Sequence, residues 1–342
     1  MSTETVSPDD PVAYFLQNLE YQGRSERTRA AYERVLRRFE RFLDDSAGRT
    51  LAEAGEHECM AWVHSLRTDL ARSTVATYAT YLHRFYTYMA RVGAFEANPM
   101  ALVVEGMDET IDKNPHRRDI SLSAMRAFVA DIHHPLDRAL VVTLLKTGMR
   151  VGELCNLDLR DLTLADDELA ARLPLGSRAL QDRENAVYVR SDVSKGAVVN
   201  GEERRASNKR KRATVVPVDG ELRSTLRCWF AIRPDTTSPA EPLFLNTGRK
   251  WGERLTPAMV GRIVREHARE NDWYRTGGGA SENVTPHYFR HFFTTHLRDR
   301  TGDRGIVKYL RGDVASDVID TYTHDWGGRV RERYLSNIYK LF

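Results

Sequence analysis

Thr147-Gly148-Met149-Arg150-Val151-Gly152-Glu153-Leu154 is the stretch on which the fold turns. The apolar residues ahead of it, over 136–146, recur at helical spacing, and Gly148 is suited to the left-handed backbone that closes a helix. A second, short helix starts near Gly152. Arg150 therefore sits on a turn between two helices, where the backbone can hold its guanidinium, and Glu153 is its natural partner. A planar five-donor fork fits two non-bridging phosphate oxygens better than a lysine does.

Two further motifs follow. Pro286-His287-Tyr288-Phe289-Arg290-His291 opens a helix, with Thr285 as N-cap and proline at the first helical position. His287 and Arg290, three apart, share a face of that helix. The free N–H groups and positive dipole end there favour an anion. Asp320-Thr321-Tyr322-Thr323-His324 supplies a phenol; its ordinary pKa of about 10 calls for a base or a cationic pocket. Tyr309, just before the Gly312 turn, and Tyr334, in an amphipathic stretch, fit this role less well. Two arginines to clamp a phosphate, a histidine to move a proton and a tyrosine to attack phosphorus point to phosphoryl transfer on a nucleic-acid backbone through a covalent phosphotyrosine, with no metal required.

Composition sets bounds on this reading. A chain of 342 residues, 41% hydrophobic, exceeds one ordinary core, so two domains are expected. No apolar run approaches the roughly 20 residues that span a bilayer, and the acidic start Met-Ser-Thr-Glu-Thr-Val-Ser-Pro-Asp-Asp is unlike a secretory signal; a cytoplasmic protein is expected. Cys59, Cys155 and Cys228 are far apart and flanked by apolar residues, so they read as buried thiols rather than disulfide or zinc partners. A net charge of +3 does not by itself indicate a polyanion partner. Its distribution is more telling: Arg204, Arg205, Lys209, Arg210, Lys211 and Arg212 cluster ahead of the β-branched run Thr214-Val215-Val216. Between two strand candidates, such a cluster reads as touching phosphates.

The first hundred residues read as helices alone, over 12–21, 25–43, 56–66 and 73–92, with Ser73 as the N-cap of the last, a bundle of about four. Residues 106–118 lack apolar periodicity and read as a linker. Beyond it, helices are expected over 123–133, 136–146, 221–232, 257–271, 286–300, 314–323 and 329–339, and strands over 186–190 and 213–218. The chain is thus multidomain: an all-α N-terminal bundle (11–105) after a tail (1–10), then a linker and a mainly helical α+β domain (119–342) with a small antiparallel sheet. The C-terminal helix 329–342 should pack on its own domain or on a neighbouring protomer.

In order and spacing, the segment 147–157, His287-x-x-Arg290-His291 and Tyr322-Thr323-His324 resemble the tyrosine recombinases, the phage integrase family. The resemblance implies an integrase-like catalytic domain behind a SAM-like core-binding domain, clamped together on double-stranded DNA. It implies Arg150 and Arg290 as phosphate clamps, Glu153 as the support of Arg150, His287 as a proton-transfer group, His291 as a packed supporting residue and Tyr322 as the nucleophile. Counted back from Val215-Val216-Pro217, the lysine that protonates the leaving 5′-oxygen falls on Lys209, with Lys211 and Lys195 as alternatives. One position departs. Nine residues before Tyr322 the family carries a donating histidine or tryptophan after glycine; here Gly312 is followed by Asp313, which as a carboxylate cannot donate. It can instead cap a helix or orient Arg290, with Arg311 supplying charge. The resemblance implies site-specific recombination through a 3′-phosphotyrosine, without ATP, metal or cofactor, by a homotetramer on two sites with accessory DNA-bending proteins, nucleoid-associated when bound. A catalytically impaired DNA-binding protein of the same fold and a type IB topoisomerase-like activity are the alternatives.

Overall fold

The computed structural model describes residues 10–111, 116–166, 176–313 and 326–342. The chain divides into two compact units, Met1–Pro115 and His116–Phe342.

The first unit is all helical: α1 (Pro11–Tyr21), α2 (Glu26–Ala47), α3 (Glu56–Asp69), α4 (Arg72–Arg91) and the short α5 (Ala101–Glu105). Asp10 caps α1 by accepting from the Val12 and Ala13 amides at 3.1 and 3.0 Å, with Pro11 at the first helical position. Val12, Phe15, Leu36, Phe39, Trp62, Leu82, Phe85 and Tyr86 meet in one core, where burial of large apolar side chains stabilises the bundle. The Tyr86 hydroxyl donates to the Leu51 carbonyl at 2.8 Å, so the phenol is not left unsatisfied. Ser73 is not the cap of α4. The helix begins two residues earlier, after Ala71, without a side-chain cap, because Leu70 packs on the core and the chain turns straight into the helix from there.

The second unit is built around α7 (Pro135–Thr147), whose residues 139–147 are all buried; a helix buried on every face is a core helix. It is flanked by α6 (Leu122–Ala130), α9 (Gly220–Ile232) and α11 (Pro286–Thr301), with α8 (Val151–Cys155) and α10 (Pro257–Glu270) nearby. A three-stranded antiparallel sheet carries β1 (Leu162–Thr163), β2 (Ala186–Val189) and β5 (Thr214–Pro217) in that order, with Leu162 opposite Val187 and Val187 opposite Val216. Between β2 and β5 the chain forms a two-stranded ribbon of β3 (Val198–Val199) and β4 (Glu202–Glu203). The architecture is the expected one: a helical bundle followed by a mainly helical α+β unit with a small antiparallel sheet.

Helix α12 (Arg304–Arg311) was not anticipated, although Asp303 caps its start and Gly312 its end. The helix expected over 314–323 lies outside the described residues. Helix α13 (Trp326–Asn337) leads a C-terminal segment that docks on its own chain. The Tyr334 hydroxyl donates to the Lys146 carbonyl at 2.7 Å and Tyr339 to that of Leu145, while the Leu341 and Phe342 amides donate to Glu221 at 2.9 and 3.0 Å. The buried Lys146 ammonium closes this region with 2.6–2.7 Å contacts to Asp219, Glu221 and the Tyr339 carbonyl. Cys59 and Cys155 are buried as expected, but Cys228 is exposed, because α9 turns Leu222, Thr225, Leu226 and Trp229 inward and leaves residue 228 outside. Among the described residues no helix is long and apolar enough to cross a membrane.

Candidate active site

Gly148 sets the site up. Its φ of 62° ends α7 in the left-handed region, and a Cβ there would come within 2.2 Å of the Phe293 ring on α11. The tight turn places Arg150 as the extended residue ahead of α8. Glu153, fully buried, then holds it twice: Oε2 accepts from the Arg150 amide at 2.9 Å and Oε1 from Arg150 Nη1 at 3.0 Å. The same carboxylate accepts from Arg210 Nη2 at 3.2 Å, and the buried Arg210 guanidinium also donates to the Leu310 carbonyl at 3.0 Å and to the Thr214 hydroxyl.

The second arginine arrives from α11. Arg290 is 2% exposed; its Nη1 donates to the Gly148 carbonyl at 2.7 Å and to the Arg311 carbonyl at 3.2 Å, which ties α11 to the turn carrying Arg150 and to the end of α12. Gly312 (φ 67°) is required where α12 stops, because a Cβ would lie 2.2 Å from Arg210 Cγ. The next residue, Asp313, is the meeting point: Oδ1 accepts from Arg150 Nη2 at 3.2 Å and from Arg290 Nη2 at 2.9 Å. Arg311 Nε approaches Oδ2 at 3.0 Å, as an ion pair rather than an aligned hydrogen bond. Three guanidinium groups thus surround one carboxylate.

His287 lies on the first turn of α11 within this positive field, its outer surface open to solvent. Desolvation of its inner side and the charges of Arg117, Arg290, Arg150 and Arg311 push its pKa down to about 4. The ring is therefore neutral near pH 7 and able to accept a proton. Burial, with Arg311 and Arg150 close by, lowers the Arg290 guanidinium to about 9, which leaves it charged at neutral pH. Arg117, at the start of the second unit, was not singled out in the sequence. The adjacent Arg118 fixes its backbone by donating to the Asp272 and Glu282 carbonyls at 2.8 and 3.3 Å, while the Tyr288 hydroxyl donates to the Arg118 carbonyl at 2.8 Å. His291, expected as a packed supporting residue, is exposed instead, because its neighbours Arg290, Phe292 and Phe293 take the buried positions on α11.

The basic run does not act as one surface. Arg204 and Arg210 are 1% and 3% exposed, so neither offers its guanidinium to an outside phosphate. Arg204 forks onto Asp158 at 2.9 and 2.5 Å, and Arg254 meets the same carboxylate at 2.6 Å. Arg205, Lys209 and Lys211 are exposed, and Arg212 stacks its guanidinium 4.6 Å from the Tyr309 ring centre. Lys209 is flanked by two anchors: Asn208 Oδ1 accepts from Asn156 Nδ2 at 2.9 Å, and Arg210 is held by Glu153. Its backbone therefore follows the wall of the arginine cluster. The Lys195 amide donates to the Ser207 hydroxyl at 2.9 Å, so that lysine also springs from this loop. Tyr334 is buried and its pKa is raised well above 10 by desolvation, which suits a docking residue and not a nucleophile. Tyr322 and His324 lie outside the described residues.

Comparison with known proteins bears on this arrangement. The sequence model of the phage integrase family matches residues 122–326, and that of the phage integrase N-terminal SAM-like domain matches residues 12–93. Among curated relatives, tyrosine recombinase XerC of Pelobacter propionicus is 27% identical over 91% of this chain and 88% of its own length. Tyrosine recombinase XerD of Shewanella oneidensis is 25% identical over 96% of each. Among solved structures, the Tn1549 transposon integrase in complex with a circular intermediate DNA has a TM-score of 0.63 at 17% identity, covering 93% of both chains. A lambda integrase tetramer bound to a Holliday junction has a TM-score of 0.62 at 15% identity, over 92% of this chain and 79% of that one. These likenesses give the fold as integrase-like.

Proposed function

The chain belongs to the phage integrase family, and from that membership we propose that it is a site-specific DNA recombinase that cuts and rejoins DNA through a 3′-phosphotyrosine. The observation that carries the reading is the convergence of Arg150 and Arg290, distant in sequence, on a single carboxylate oxygen beside His287. That is a built seat for an anion, with two forks able to share the charge that develops on a phosphodiester under attack.

The Tyr322 oxygen attacks phosphorus, and the bond from phosphorus to the 5′-oxygen breaks. The phenolic proton passes to His287, which is neutral at working pH, and Lys209 protonates the departing 5′-oxygen. Arg150 and Arg290 stabilise the equatorial oxygens, and Glu153 holds Arg150 from behind. The bond energy stays in the phosphotyrosine, so a 5′-hydroxyl from a partner strand reverses the step without ATP. Arg205, Lys211 and Arg212 extend the positive surface from the same loop toward flanking phosphates. Two duplexes need paired protomers, so the working form is a homotetramer on two sites, with accessory DNA-bending proteins where the sites must be brought together, and the bound protein is nucleoid-associated.

The aspartate at position 313, in contact with both clamp arginines, favours a second reading, a DNA-binding protein of impaired catalysis. One experiment separates the two. Nicked suicide duplexes from a randomised pool are incubated with the full chain, and the covalent adduct is scored after denaturation. The wild type forms an adduct and Tyr322→Phe does not. An adduct that persists in Tyr322→Phe refutes the assignment of the nucleophile, and no adduct from any duplex leaves the second reading standing.

A further inference from the structure

Both terminal nitrogens of Arg290 are already engaged as the site stands. Its Nη1 donates to the Gly148 and Arg311 carbonyls, its Nη2 donates to the Arg311 carbonyl and to Asp313 Oδ1, and 2% of its surface is open. Arg150 is open on one side, 28% of its side chain being exposed, but its Nη2 is engaged by the same Asp313 oxygen. Asp313 itself is 26% exposed, against 2% for the Arg290 side chain that it contacts. Its carboxylate spans Arg150 and Arg290 with one oxygen and Arg311 with the other, the way two non-bridging oxygens of a phosphate would.

We propose that Asp313 is an internal stand-in for the scissile phosphate: in the DNA-free protein its carboxylate fills the arginine seat, and a backbone phosphate gains Arg290 only by displacing it. This rests on the recombinase reading and adds a regulatory element to the same site. The stand-in has two physical effects. Without DNA it offsets the mutual repulsion of Arg150, Arg290 and Arg311, and so keeps the seat assembled. It also makes every incoming anion compete with a tethered one of high local concentration, which weakens the binding of small free phosphates, while a duplex held by many other contacts can offset the exchange.

Inorganic phosphate is the probe, titrated into the full chain by calorimetry. Asp313→Asn keeps the shape and removes the charge, and it binds phosphate at least about tenfold tighter than the wild type. Equal or weaker binding by a folded Asp313→Asn protein overturns the proposal. A readout on the wild type stands apart from the variant's folding: with 13C-carboxyl aspartate, the assigned Asp313 resonance moves when saturating phosphate, or a nicked duplex, occupies the seat. A resonance that stays put while Arg290 side-chain signals respond overturns the displacement even if Asp313→Asn fails to fold. Adduct formation by the wild type on nicked duplexes tells the two failures apart. An adduct together with an unmoved Asp313 ends the stand-in and leaves the recombinase; a displaced Asp313 with no adduct supports the anion seat and ends the recombinase reading.

Discussion

Glu153→Gln should damage both the fold and the chemistry, and the size of the damage follows from its three donors. Oε1 faces Arg150 Nη1 at 3.0 Å, and Oε2 faces the Arg150 amide at 2.9 Å and Arg210 Nη2 at 3.2 Å. A glutamine has one acceptor oxygen, so either orientation of its amide turns an NH2 group against a donor that has nowhere else to go. Arg210, 3% exposed, would lose its only carboxylate among the described residues. Breaking a buried ion pair on one side costs about 3–5 kcal/mol. For a unit the size of residues 116–342, each kcal/mol is worth about 2–4 °C, so the melt of that unit should fall by about 10 °C. Cleavage should fall too, because Arg150 then keeps only its Asp313 contact at full strength and is held less firmly in place. The assays are thermal and urea melts of the full chain and single-turnover cleavage of a nicked duplex well below the new melting temperature. A melt unchanged within about 0.5 kcal/mol, or full cleavage by the destabilised protein, would show that Glu153 is not what holds the two arginines.

Two neighbours in sequence should behave oppositely. Arg204→Gln leaves the buried Asp158 with Arg254 as its remaining guanidinium and should cost about 3 kcal/mol. Arg205→Gln loses only a 3.9 Å contact between exposed groups and should be neutral to within about 0.5 kcal/mol in a urea melt; equal effects would refute the burial argument. For His287, the folded pKa of about 4 lies below the ordinary 6.5. The unfolded chain therefore binds more protons between these values, and stability rises with pH through that window and is lost as pH falls through it. Urea midpoints from pH 7 to pH 4 should fall less steeply in His287→Gln than in the wild type, and parallel slopes would mean that the ring is not held neutral.

What could be read from the sequence were features fixed by near neighbours. Gly148 and Gly312 must turn left-handed where chain approaches chain, Thr285-Pro286 opens α11, and Glu153 sits three residues from the arginine it holds. Thr285-Pro286 and the Arg150–Glu153 pair have signal and partner within one turn of helix, whereas the two glycines are legible only as turns: the chain that crowds them, Phe293 at Gly148 and Arg210 at Gly312, is distant in sequence. What could not be read depends on residues far away in the chain. Nothing within the run 204–212 separates Arg204 and Arg210 from Arg205 and Lys211. The distinction is made by Asp158 and Glu153, supplied by the segment around α8, and by the Leu310 carbonyl at the end of α12. Ser73 has the better capping side chain, yet α4 starts at Arg72 because packing of Leu70 decides where the chain turns. Asp313 stands between the two cases. As a residue type it departs from the family's pattern, and that departure is visible in the sequence. Its meaning required the positions of Arg150, Arg290 and Arg311, because a carboxylate that would repel a phosphate in an empty site becomes, among three guanidinium groups, the anion that the site was built to hold.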